Sequence, residues 1–181
     1  MRHCGVSRAR ALVDACHPLP TLAVTTVVAL LSLAAGRDAR GVALMALATL
    51  VGQLSVGWCN DAYDADRDRR AGRTEKPVVR GDVDARTLWV AALTALVAAV
   101  PLSFAAAGPV GGSAHVLAVL SAWSYDLRLK TTVLSWLPYA VSFGLVPAYV
   151  WFGLTPPTAP PASTAAAAAA LGVAAHLANA L

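Results

Sequence analysis

The chain has 181 residues, 57% of them apolar and 13% charged, with a mean hydropathy of +0.61. That composition excludes an ordinary soluble domain. The net charge of +4 does not point to nucleic acid, because the basic residues form no stripe with interleaved aromatics; membrane headgroups or an anionic substrate are the expected partners.

In chain order, hydropathy predicts six spans, at 19–35, 42–60, 87–107, 109–124, 132–154 and 162–181. Several reach the roughly 20 residues that cross a hydrocarbon layer. Arg2, Arg8 and Arg10 precede the first span as they would in a signal peptide, but the number of later spans favours an uncleaved helix opened by Pro18 and Pro20. Near the end of the second span, Gly52 and Gly57 allow close helix approach. Segment 67–86 is polar, broken by Gly72, Pro77 and Gly81, and reads as a cap over the mouth of the bundle. Gly108-Pro109 with Gly111-Gly112 predicts a tight turn between spans three and four. A proline-rich loop, 155–161, joins spans five and six, and the sixth carries an alanine run from Ala165 to Ala170. Cys4, Cys16 and Cys59 show no pairing pattern, and His3, His17, His115 and His176 are scattered enough to read as packing or interfacial residues.

Twelve of the fourteen Lys and Arg residues fall on one side of this arrangement, leaving Arg37 and Arg40 on the other. The positive-inside rule then puts the N-terminus and the charged loops in the cytoplasm, with the protein in the cell's inner or plasma membrane. Every charged cluster able to do chemistry lies on that face.

The most informative stretch closes span two. Asn60, Asp61, Asp64, Asp66 and Asp68 follow the apolar run directly. At about 100° per residue, Asn60, Asp64, Asp68 and Asp61 fall at roughly 0°, 40°, 80° and 100°, whereas Asp66, at about 240°, points elsewhere. Carboxylates crowded on one face suit a hard divalent cation such as Mg²⁺, which often reaches substrate phosphates as a bridge. The alternative is a solvated acidic face, which rarely repeats acids at this spacing without interleaved bases. Asp61, Asp64 and Asp68 are the candidate catalytic carboxylates, and with Asn60 the candidate metal ligands. Two further clusters sit on the same side. Arg73, Lys76 and Arg80 could clamp phosphate oxygens, or serve only topology and headgroup contact. Tyr125, Arg128 and Lys130 close span four, where they could bind phosphate or form an interfacial belt.

Asn60-Asp61-x-x-Asp64-x-x-x-Asp68 matches the NDxxDxxxD signature at the end of a second span, and the chain resembles the UbiA superfamily of intramembrane prenyltransferases. Lys76-Pro77 and Gly81 are similar to that family's R-P…G segment. Tyr125 to Lys130 resembles its YxxxK element with one extra residue, so either Lys130 or Arg128 can fill the phosphate-binding position. His17-Pro18 stands where many members carry Arg-Pro. The resemblance implies an all-helical bundle of nine spans, two Mg²⁺ ions bridging a prenyl diphosphate, and transfer of the prenyl group to a lipophilic acceptor, often aromatic. A quinone-ring precursor, a haem, a chlorophyllide or a glycerol lipid would all be compatible.

The family's second Asp-rich motif is expected after the sixth span, and the sequence stops at Leu181. The expectation is therefore a single membrane-embedded domain over 1–181, six helices of nine, incomplete at its C-terminus and inactive alone. Two other classes fit the sequence less well. A CDP-alcohol phosphotransferase would need a DG…AR…G…D…D pattern that is absent. A non-enzymatic cation-binding protein or transporter would need ionisable groups near the midplane, and spans one, three, five and six have no Asp, Glu, Lys or Arg in their cores.

Overall fold

The computed structural model describes residues 7–180, so Arg2, His3, Cys4 and Leu181 lie outside the described residues. The fold is all-helical, with no strand among the described residues. Seven α-helices follow one another: α1 (Arg8–Ala15), α2 (Pro18–Ala34), α3 (Ala39–Arg70), α4 (Pro77–Arg80), α5 (Ala85–Leu127), α6 (Trp136–Phe152) and α7 (Ala162–Ala180).

The six predicted spans correspond to α2, the apolar part of α3, two halves of α5, α6 and α7. By length and composition, α3 and α5 can each cross a membrane, and α1 with α2 makes a third candidate if that bent pair counts as one span. The helix α6 is shorter, with 17 residues.

The predicted turn after span three is present, although helical hydrogen bonding runs through it. In a straight helix Ser103 and His115 would lie about 18 Å apart. Instead Ser103 Oγ is 2.7 Å from His115 Nδ1. The chain therefore folds back at Gly108, whose φ of 66° and ψ of −169° fall in a region open only to glycine. The arms, 85–107 and 109–127, run antiparallel. His115 stacks on Tyr149 of α6, with ring centroids 4.4 Å apart, and a core of Val28, Met45, Ala48, Ala106, Ala107 and Val150 surrounds them.

The first helix was not foreseen. Residues 8–15 form a separate helix of about two turns, capped by Ser7 and bent 64° from α2. Its Ala11 and Ala15 pack on Ala62 and Ala65 of α3, on Val78 of α4 and on Leu88 of α5. Trp58 Nε1 donates to Leu12 O at 2.8 Å and ties it to α3. Gly57 makes the close approach possible, since a methyl there would run into the Cys16 carbonyl. The predicted polar cap over 67–86 is also revised. Its first residues continue α3, and Pro77 and Val78 are buried under α1, because an apolar pair inside a polar stretch has a face to hide.

The bundle thus has an acidic end, where α1, the end of α3, α4 and the 128–135 connection meet, and a turn end at Gly108. At the turn end Arg37 donates to Ala106 O at 2.6 Å and to Gly153 O, so one guanidinium caps the ends of the first α5 arm and of α6.

Candidate functional site at the acidic end

No proline or glycine interrupts α3 between Trp58 and Arg70, and the helix carries the whole acidic motif. Its faces divide as the spacing predicts. Asp61, Asp64 and Asp68 are buried, whereas Asp66 is exposed and, among the described residues, pairs only with Arg69. Acids in the last turns of a helix oppose its negative C-terminal dipole end, and stacked carboxylates repel one another. Cations must offset both effects, and the structure supplies them from three segments.

Lys76, the residue capping α4, reaches Asp61 Oδ1 at 2.6 Å. Lys130, from the 3-10 turn after α5, reaches Asp64 Oδ2 at 2.7 Å and Asn60 Oδ1 at 3.3 Å. Arg67 adds a second cation to Asp64 Oδ2 at 2.8 Å, and Arg73 approaches Asp68 Oδ1 at 3.4 Å. Both lysine side chains are almost fully withdrawn from solvent. Arg73 divides itself between Asp68 and Glu75. The Glu75 carboxylate raises the guanidinium further above its ordinary pKa, helped by the Asp68 charge. Glu75 in turn is held below the usual carboxylate range by its own backbone N–H first and by Arg73 second.

Not every candidate residue joins this network. Arg128 lines an open cleft of about 610 Å³ with Tyr63, Asp64, Arg67 and Lys130. Lys130 Nζ also lies 5.2 Å from the centre of the Tyr63 ring. Arg80 turns away to Asp82 and the Glu75 carbonyl. Tyr125 packs edge-on against Tyr139 and His176, not against the carboxylates.

The four presumed ligands do not form a ready cage. Among the described residues, no three His, Cys, Asp or Glu side chains gather closely enough to hold a metal ion. Each carboxylate takes its nearest ammonium or guanidinium instead. Even so, Asp61 Oδ2 and Asp68 Oδ2 are buried and accept nothing from the described residues.

Two participants escaped the sequence reading. His17, read there as a packing or interfacial residue although it stands where many family members carry Arg-Pro, has Nε2 2.8 Å from Asp61 Oδ1 and 3.2 Å from Lys76 Nζ. It sits in a left-handed conformation, φ 55° and ψ 69°, at the α1–α2 bend. Holding a non-glycine residue there costs about 1–3 kcal/mol, which the surrounding contacts must offset. The only available signal was its place before Pro18. Asp126, next to Tyr125, is buried with Oδ2 unpartnered among the described residues, and its charge interacts with those of Lys130, Asp64 and Asp61.

The family model of the UbiA prenyltransferases matches residues 21–181. The chain belongs to the UbiA prenyltransferase family. Members are intramembrane prenyltransferases, and the apolar helices agree with an integral membrane protein. No curated protein and no solved structure matches the chain. The family match begins at residue 21, so α1 and His17 lie outside it.

Proposed function

We propose that the acidic end binds the diphosphate of an isoprenyl diphosphate, and that the protein serves Mg²⁺-dependent transfer of the prenyl group to a lipophilic acceptor inside the membrane. The observation carrying this reading is the convergence of Lys76, Lys130 and Arg73, from two connections, on the buried acidic face of one membrane-length helix. Such a mixed set of acids and bases suits a ligand that is itself a phosphate–metal pair.

The residues fit the metal in donor chemistry. All candidate ligands offer oxygen, the preference of Mg²⁺, and Asp61 Oδ2 and Asp68 Oδ2 are buried acceptors without a donor among the described residues. Mg²⁺ usually takes only one or two carboxylates and completes its shell with waters and phosphate oxygens, so a ready three-carboxylate cage is not required. Asn60, Asp61, Asp64 and Asp68 are the residues we assign to it. When bound, it would supply Lewis-acid stabilisation of the charge growing on the departing diphosphate.

The chain's own groups do the rest. Lys130 and Lys76 donate to phosphate oxygens, Arg73 steadies the same group from the loop side, and Arg128 enters from the cleft wall. As the allylic C–O bond breaks, its electron pair leaves with the diphosphate. The acceptor forms the new carbon bond and gives up a proton. The apolar helices exclude water that would otherwise capture the cationic carbon. We place the acidic end and the N-terminus on the cytoplasmic face, following the twelve-to-two distribution of Lys and Arg.

The test is binding of a prenyl diphosphate to the purified chain in lipid nanodiscs, with Mg²⁺ or EDTA. Binding should require Mg²⁺ and fall at least about tenfold, roughly 1.4 kcal/mol, in Asp64→Ala and Asp68→Ala. Unchanged, metal-independent binding in both variants refutes the reading.

A further inference from the structure

Two lysines fill the acidic face, and this arrangement decides what can enter it. Lys76 Nζ has two neighbours, Asp61 Oδ1 at 2.6 Å and His17 Nε2 at 3.2 Å. Lys130 Nζ likewise has Asp64 Oδ2 at 2.7 Å and Asn60 Oδ1 at 3.3 Å. Both pairs are buried, in surroundings where an unpaired charge is costly. The lysines stand on connections, one at the start of the four-residue α4 and one in a three-residue 3-10 turn, whereas the carboxylates stand on the longest uninterrupted stretch of α3. The ammonium groups are thus the mobile partners and the acids the fixed ones.

A bare divalent cation that takes the paired oxygens, Asp61 Oδ1 or Asp64 Oδ2, must displace an ammonium and leave it stranded beside the metal. Repulsion between like charges and loss of the lysine's partner both oppose that step. A metal diphosphate meets no such obstacle. Its metal takes the carboxylates while its phosphate oxygens take the displaced ammonium groups, so every charge keeps a partner.

Resting on the diphosphate reading above, we infer that Lys76 and Lys130 are internal counter-ions that close the acidic face to free metal, so that the site accepts a metal diphosphate as one species. Metal and diphosphate then bind with strong positive coupling, which thermodynamic linkage makes reciprocal. His17 is a positioning residue in this scheme, bracing the Asp61 carboxylate beside Lys76 from the α1–α2 bend.

The experiment titrates Mn²⁺ into the full chain in nanodiscs, followed by electron paramagnetic resonance, with and without inorganic pyrophosphate. In the native chain, pyrophosphate should tighten Mn²⁺ binding by roughly tenfold or more. In Lys76→Gln/Lys130→Gln, Mn²⁺ alone should bind about tenfold tighter than to the native chain, and the benefit of pyrophosphate should shrink. Lys130→Gln alone leaves Asp64 paired with Arg67, so its fold is safeguarded, and it should shift bare Mn²⁺ affinity in the same direction. If pyrophosphate helps the native chain but neither lysine variant gains affinity for bare Mn²⁺, the counter-ion inference fails and the diphosphate reading stands. If pyrophosphate has no effect on Mn²⁺ binding to the native chain, the diphosphate reading itself fails.

Discussion

At the turn end of the bundle, Arg37 gives its guanidinium to the carbonyls of Ala106 and Gly153, whereas at the acidic end the ammonium groups of Lys76 and Lys130 and the guanidinium of Arg73 go to side-chain carboxylates. Both ends hold cations out of full solvent contact, but with different freedom. Carbonyls at helix ends cannot turn elsewhere without unwinding the chain, so Arg37 is a permanent fastening. Carboxylate–ammonium pairs can change partner by a rotation about side-chain bonds. On the diphosphate reading proposed above, the contrast separates a charge kept for architecture from charges kept available for a ligand.

Removing an acid should break the comparison most sharply. Asp61→Ala leaves Lys76 buried with only His17 beside it, and loss of one member of a buried pair costs about 3–5 kcal/mol. Thermal unfolding in nanodiscs should show that loss, and Asp61→Ala/Lys76→Met should recover much of it. Failure of the double variant to recover would mean that the pair is not the source of the cost.

Next in size, Arg37→Met strips two helix ends of a charged donor and should cost about 2–3 kcal/mol. Pyrophosphate-dependent Mn²⁺ affinity of the folded fraction should stay unchanged. A parallel loss of that affinity would show that the two ends are not independent. Gly108→Ala, which forces a side chain into a glycine-only conformation, should cost about 1–3 kcal/mol by the same unfolding measurement. The smallest effect belongs to Arg69→Ala. Its partner Asp66 is exposed, on the same helix as the buried acids, and such pairs contribute about 0.2–1 kcal/mol. A loss above that range would erase the distinction drawn here between the faces of α3.

What could be read from the sequence was local. The 100° step assigned Asp61, Asp64 and Asp68 to one face and Asp66 to another, and Gly108-Pro109 marked the reversal. Both signals act through neighbours a few residues apart. The contacts that complete the acidic end join residues far apart in the chain: His17 with Asp61, Lys130 with Asp64, Trp58 with Leu12. No periodicity in one sequence encodes which helix ends meet. Nor could composition show that residues 8–15 form their own helix, since their five apolar side chains acquire a face only once α3 and α4 are beside them. Tyr125 shows the limit of a motif from the other side. A motif-like position suggested phosphate contact, and tertiary packing turned the ring towards Tyr139.

The 32 residues of α3 span about 48 Å, while the oily interior of a bilayer is about 30 Å deep. About twenty residues, Ala39 to Trp58, suffice for that depth, and Asn60 follows at once. On the diphosphate reading proposed above, the rod would serve as a depth gauge, setting the greasy tail of an isoprenyl diphosphate in one solvent and its ionic head in the other.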